Sequence, residues 1–362
     1  MSKLSLKLLK TIKNISYKFI FNTIIFTSVL TCILLIPEIT VLLNETIKKL
    51  NNNTVKNTIT LFTDFYMIIN DVIKINKWFI IAPMIFILFL SIIILIIKYI
   101  FKNKEFIDKV IIGHSSMSKV QFIANTYTDY KVEEINLVNE MEDIKSNYNK
   151  IKYAINKQDM FVEEFKHNIN TYYDYGYMGI AHTPLIFRLA YQLGDEISIV
   201  LFHKYRTGDT KKFKELKSDK DFKNIQIYYE NLNVNSNELI FGLSTTFPIK
   251  IDDLKVLKPE NKNIIIFQSE ELGFDIINNK NQVESYVQTI MKKIREVVKS
   301  KNITKIHIVL STSVAMTFAL GRAISNTHDP EIIVYHFDQK DEKKYTWGID
   351  LFKNFDNCLI IT

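Results

Sequence analysis

The sequence predicts a membrane-anchored α/β protein, with two transmembrane helices at the N-terminus followed by two Rossmann-like lobes. Three observations carry this. Residues 19–37 and 78–97 contain no formally charged side chain, and each covers the roughly 20 residues needed to cross a bilayer. Beyond Phe101, short β-branched runs alternate with helical patterns. Lys305–Asp338 reads as strand, short helix, strand, the repeat unit of a parallel sheet covered on both faces.

Composition narrows the class. A chain of 362 residues has room for about two units of roughly 150 residues, and 47% hydrophobic content can fill their cores. Lys+Arg outnumber Asp+Glu by 46 to 39, with acidic residues interspersed throughout. That balance suits a membrane surface or a small anionic ligand, and not long nucleic acid. Cys32 and Cys358 are the two cysteines, which excludes a disulfide framework or a cysteine metal site and suggests an intracellular soluble half.

The first 108 residues read as one membrane module, with spans at about 19–43 and 78–100. Trp78 and Tyr99 bracket the second span as interfacial aromatics do. No small-residue cleavage site follows the first span, which argues against a signal peptide. Thr23, Thr27, Thr31 and Glu38 share a face of it; the favoured reading is Thr bonding to its own backbone, not a pore lining. Between the spans, Leu61, Phe62, Phe65, Ile68, Ile69, Val72 and Ile73 form the apolar face of an amphipathic helix over 58–75. It suits a bilayer surface or a neighbouring helix equally. Lysines flank both spans and also occupy the loop, so charge fixes the orientation weakly. The disulfide-free soluble half places both termini in the cytoplasm.

From residue 109 the expected order is strand (109–113), strand (132–138), long amphipathic helix (143–173), helix from Pro184 to Leu193, then strand (196–202). Strands at 224–229, 238–243 and 263–267 follow, and a helix over 283–299. A strand (306–310), short helix, strand (332–337) and terminal edge hairpin (345–351, 358–361) complete two lobes, about 109–250 and 251–362.

Phosphate loops, GxGxxG, HExxH, CxxC pairs and GxSxG elbows are all absent, so no enzyme is expected. Nine glycines leave little for a glycine-rich cradle. Polar residues instead gather at predicted strand ends: His114 and Ser115, His203 to Arg206 (with Lys204 and Tyr205), Gln268 and Ser269, and Ser311, Thr312 and Ser313. Arg322 lies on the helix that Ser313 starts. Parallel sheets bind ligands at this edge, where helix N-termini and cations hold phosphate. Tyr205, Phe337 and Tyr345 are the candidates to stack on bases. His114 beside Ser115 does not read as a nucleophile pair, because adjacent residues seldom face each other and no orienting acid is evident. His307 and His336 sit inside strand runs and read as packed.

The segments YGYMGIAHTPLIFRLAYQLGD…LFHKYRTGDTKKF and IHIVLSTSVAMTFALGRAISNTHDPEIIVYHFD…YTWGIDL resemble the SAVED domain, the sensor of bacterial CBASS anti-phage effectors. The likeness spans about 109–362, and two helices ahead of it resemble the transmembrane-SAVED effectors. That resemblance implies two fused CARF-like lobes binding a cyclic oligonucleotide, commonly a trinucleotide, with no further cofactor and no metal. It also implies ligand-driven, head-to-tail homo-oligomers or filaments that disrupt the inner membrane and cause abortive infection. Alternatives are a membrane-anchored Rossmann-like enzyme acting on cyclic nucleotides, a CRISPR-associated cyclic-oligoadenylate sensor, and a partner-binding membrane protein.

Overall fold

The computed structural model describes residues 20, 22–25, 27, 77–100, 109–123, 130–142, 144, 147–169, 173–206, 212–219, 221–232 and 235–362. The chain divides into two compact units, Met1–Phe106 and Ile107–Thr362. In the first, helix α1 runs from Lys77 to Ile100. Among the described residues, no helix is long and apolar enough to cross a membrane. Of the expected span at 19–43, only Ile20, residues 22–25 and Thr27 are described, and they are helical; the amphipathic helix at 58–75 lies outside the described residues. Thr27 Oγ1 donates to the Thr23 carbonyl at 2.7 Å and Ser91 Oγ to that of Ile87 at 2.8 Å, so both hydroxyls bond to their own helices.

The second unit holds two sheets. The first comprises β1 (Lys109–Ser115), β2 (Lys131–Asn136), β3 (Asp174–Ile180), β4 (Ile199–His203) and β5 (Lys214–Glu215), in the order β2-β1-β3-β4-β5. Helices α2 (Asn149–His167) and α3 (Thr183–Leu193) connect its strands. The second sheet takes β6 (Ile225–Asn231), β7 (Glu238–Ser244), β8 (Asn263–Ser269), β9 (Lys305–Ser311), β10 (Glu331–His336), β11 (Trp347–Asp350) and β12 (Leu359–Ile361). Their order is β12-β11-β10-β9-β7-β8-β6, with α4 (Lys280–Lys301) and α5 (Val314–Arg322) as connections. β7, β8, β9 and β10 are parallel, and β6, β11 and β12 add antiparallel edges.

Uninterrupted apolar runs such as VIIG and IIIF become central strands because both sheet faces are covered. The helices present single stripes instead: Ile151, Ala154, Ile155, Val162 and Phe165 on α2, and Val283, Ile290, Met291, Ile294 and Val297 on α4. Asn279 opens α4 by accepting the amides of Asn281 and Gln282, and left-handed Asn302 ends it.

Two expectations need correction. The sheets change over between Glu215 and Ile225, not near residue 250. β6 and β7 therefore belong to the second lobe, β6 on the edge beside β8 and β7 between β9 and β8. An apolar pattern marks a strand but not its neighbours. β3 went unread because Gly176 and Gly179 interrupt its β-propensity. Both glycines are required by close approach: a Cβ at Gly179 would sit 2.5 Å from the Tyr177 hydroxyl, and one at Gly176 would sit 2.9 Å from the Phe202 ring.

The lobes are joined where α3 packs on α5. Phe187 of α3 belongs to the core of the second lobe and Phe318 of α5 to that of the first, where it stacks on Tyr177 at 3.9 Å. The helices approach so closely that a Cβ at Gly321 would lie 2.6 Å from the Phe187 carbonyl oxygen and 2.8 Å from Ala190 Cβ. Helix propensity alone favours Ala over Gly by about 1 kcal/mol. We nevertheless expect Gly321→Ala to destabilise the chain by about 1–3 kcal/mol through overpacking, read as a lower urea midpoint. A stabilised variant would show that the helices are not held this close.

Candidate functional site

The α3–α5 seam sets both helix N-termini beside one cleft of about 690 Å³ at the carboxyl ends of the parallel strands. Most of its walls come from strand ends and the turns after them, with Ile186 of α3 and Thr317 of α5 between. Met117 comes after β1, Gly179 to Thr183 end β3 and open α3, and Phe202 to Arg206 end β4 and lead out of it. The second lobe contributes Thr246 and Phe247 after β7, Phe274 after β8, Leu310 to Val314 from the end of β9 into the start of α5, and His336 and Phe337 at the end of β10.

Ser313 is the N-cap of α5, its Oγ accepting the Met316 amide at 3.2 Å. Both helices point the positive end of their dipole at the cleft, α5 ahead of its capped Met316 amide. At α3 the His182 amide is taken by Ser116, Pro184 has no N–H, and the Leu185 and Ile186 amides bond the His182 carbonyl. Neighbouring hydroxyls hold the turns: Thr312 Oγ1 lies 2.7 Å from Thr245 Oγ1, and Ser311 Oγ accepts the Phe247 amide at 3.0 Å.

The charge at the cleft is one-sided. Lys204 and Arg206 line it, and among the described residues no carboxylate does. Arg206 lies 3.6 Å over the Phe274 ring, which meets Phe247 edge-on. Lys204 points its ammonium at Phe213 from 5.6 Å. Among the described residues neither cation forms an ion pair, so both keep their charge for a ligand. Asp275, outside the lining, accepts from His203 Nε2 at 3.1 Å and from the Arg206 amide at 3.3 Å, which fixes the β4 exit. No group of three or more His, Cys, Asp or Glu among the described residues could hold a metal ion.

Of the sequence candidates, Lys204, Tyr205, Arg206, Ser311, Thr312, Ser313 and Phe337 line this cleft. The others lie elsewhere. His114 and Ser115 are fully buried inside β1, His114 bonding Tyr177 at 3.1 Å. Ser269 bonds Tyr286 of α4 at 3.1 Å, and Gln268 beside it points an unpartnered Oε1 into protein. Tyr345 is buried and braces Phe337 edge-on at 5.4 Å. Arg322 is at the far end of α5, donating to the carbonyls of Gly194, at 2.7 Å, and Ile197. His182, Thr246, Phe247 and Phe274 were missed; the unread strand β3 hid His182, and the other three sit in aperiodic loops.

Burial pushes the imidazole of His114 down to about 3, and burial with His336 and His114 nearby does the same to His182. Unfolded histidine titrates near 6.5. Between roughly pH 6.5 and 3 the unfolded chain therefore binds protons that the native chain refuses, and stability falls as pH falls. Urea midpoints should drop steadily from pH 7 to pH 5, with His114 contributing roughly 1 kcal/mol per pH unit at the steepest. A flat profile would mean that these rings are solvated.

A family model matches residues 158–351, more than half of the chain: "SAVED: SMODS-associated and fused to various effectors sensor domain". The chain belongs to the SAVED family. Its match begins inside α2 and ends just past β11, so the SAVED region contains the α3–α5 seam and most of the cleft walls. No curated protein matches the sequence. Two solved structures of an Acinetobacter baumannii Cap4 SAVED/CARF-domain containing receptor resemble the fold. The one with the cyclic trinucleotide 2'3'3'-cAAA has 13% identity and a TM-score of 0.47 over 85% of this chain and 64% of that one. The one with 3'3'3'-cAAA has 14% identity and a TM-score of 0.44 over 84% and 64%. The Moraxella osloensis Cap4 receptor has 14% identity and a TM-score of 0.39 over 65% and 48%. The chain thus spans less than two thirds of those receptors. With TM-scores below 0.5 these likenesses are distant, and membership of the family rests on the matched domain alone.

Proposed function

We propose that this SAVED protein is a cyclic-oligonucleotide-sensing membrane effector of anti-phage defence. One observation carries the ligand reading: two helix N-termini and two cations converge on a cleft where, among the described residues, the cations have no ion-pair partner and no carboxylate joins the lining. That set suits a ligand with more than one phosphate, since backbone amides and cations bind the oxygens. Tyr205, Phe274 and Phe337 around it suit flat bases. A cyclic oligonucleotide combines both features, and sensing is the role in the family's description. Within the site, Lys204, Arg206 and Ser311 to Ser313 take the phosphate roles. His114, Ser115, Gln268, Ser269, Arg322 and Tyr345 stand outside the cleft lining and take no direct ligand role.

The membrane half rests on the two uncharged sequence stretches and on α1. Ile85, Phe86, Phe89 and Ile96 are 51%, 61%, 59% and 52% exposed, and Ile87, Leu90 and Ile92 join them. Met84 and Ser91 are buried on one face, and a helix that exposes apolar side chains around the rest of its girth needs lipid or other helices against it. Ligand binding then favours head-to-tail association of sensors, and an interface that does not close grows. Tethered helices reach high effective concentration and disrupt the inner membrane, with both termini in the cytoplasm. Full-length protein in dye-loaded liposomes should release dye and scatter more light when a cyclic trinucleotide is added. Neither signal with cyclic di-, tri- or tetranucleotides would overturn the proposal.

A further inference from the structure

One polar group at the cleft has a fixed chemistry that the phosphate roles do not use. His182 is the N-cap of α3. Its backbone amide donates to Ser116 Oγ at 2.8 Å, and the same oxygen lies 2.8 Å from its ring Nδ1. Ser116 is 2% exposed, so its hydroxyl proton must find a protein acceptor, and Nδ1 is the one within reach. Nδ1 therefore accepts, and the proton of the neutral ring sits on Nε2. Nε2 itself has no hydrogen bond to a described residue, and His182 lines the cleft. The ring is held in place by His336 at 4.9 Å and Trp347 at 6.0 Å.

We infer that His182 is a base-reading residue, locked by Ser116 as an Nε2–H donor that bonds an acceptor on the edge of a nucleobase. This rests on the cyclic-oligonucleotide reading of the cleft. A neutral donor adds little to phosphate binding, which the helix N-termini, Lys204 and Arg206 already supply. Its effect is directional. A base presenting an acceptor pairs with it, while a base presenting its own N–H leaves two donors facing each other, out of water. The depressed imidazole pKa keeps the ring neutral at physiological pH, so the donor does not become a charge. Ser116 is a positioning residue.

The test is the affinity of the full-length protein for cyclic trinucleotides of A, G, C and U at two salt concentrations. His182→Phe keeps a ring but removes the donor, His182→Gln keeps an amide donor, and Ser116→Ala frees the tautomer. We expect His182→Phe to lower affinity for the preferred ligand about 10- to 100-fold and to narrow the spread between bases. Its salt slope should stay that of the wild type, and His182→Gln should recover part of the loss. Equal weakening of every ligand with a flatter salt slope would indicate a phosphate contact, and unchanged affinities would indicate none; either overturns the inference alone. A wild-type chain that binds no member would instead overturn the cleft's assignment. Ligand-free ¹⁵N spectra of labelled histidine give a separate check: the proton should reside on Nε2, becoming mixed in Ser116→Ala. A wild-type proton on Nδ1 overturns the inference whatever the ligand does.

Discussion

Arg188→Ala is expected to lower the unfolding free energy by about 3 kcal/mol, the cost of removing a buried guanidinium and leaving the partly buried Asp159 carboxylate without its ion-pair partner. Arg188 is 3% exposed, and its guanidinium grips Asp159 of α2 in a fork, with Nε at 2.9 Å and Nη2 at 2.6 Å. Its Nη1 donates to the carbonyls of Asp350, at 3.4 Å, and Lys353, at 3.1 Å, which belong to the second lobe. One side chain thus ties α2, α3 and the end of β11 together, and a lysine cannot reproduce the fork. Removing it leaves Asp159 with Gln192, whose Nε2 is 2.7 Å away. Urea unfolding of the variant should show the loss. The pair Arg188→Met with Asp159→Asn should recover much of it, because no buried charge is then left unpaired. If Arg188→Ala unfolds like the wild type, the lobes do not depend on this strut.

Lys204→Glu combined with Arg206→Glu is expected to reduce affinity for a cyclic oligonucleotide at least about 100-fold. Two cations facing phosphate become two anions facing it, in a cleft whose described lining holds no other lysine or arginine. Both side chains reach solvent and neither forms an ion pair among the described residues, so the fold should survive with an unchanged melting temperature. Wild-type binding should weaken as salt rises, whereas residual binding by the reversed variant should not. Arg206→Ala is the gentler form, losing the charge and the stack on Phe274 together. Wild-type affinity in the reversed variant would place the phosphates elsewhere.

How much of this was legible depended on whether the chemistry was local. The carboxyl ends of β4, β9 and β10 were readable because parallel, doubly covered strands appear as unbroken apolar runs, and the ligand edge follows from strand direction. Lys204 to Arg206, Ser311 to Ser313 and Phe337 came from that logic. It failed at β3, where Gly176 is demanded by Phe202 and Gly179 by Tyr177 beside it and Val314 far along the chain. His182 was lost with it. Arg322 was a misreading that helix geometry could have prevented: it closes the helix Ser313 opens, roughly 13 Å away along the axis. Arg188 had no local signal at all, since its partners lie 29 residues before it and more than 160 after it. The lobe boundary was hidden for the same reason: β7 pairs with β9 across the intervening β8 and α4.

The most direct test is calorimetric titration of full-length protein in detergent with 3'3'3' and 2'3'3' cyclic triadenylate, alongside cyclic triguanylate and linear triadenylate. The account predicts saturable binding of at least one cyclic member, weakened by salt and lost in the Lys204→Glu, Arg206→Glu variant. Absence of heat with every cyclic ligand up to ~1 mM, where a Kd corresponds to about 4 kcal/mol, would contradict it. So would wild-type affinity in the charge-reversed chain.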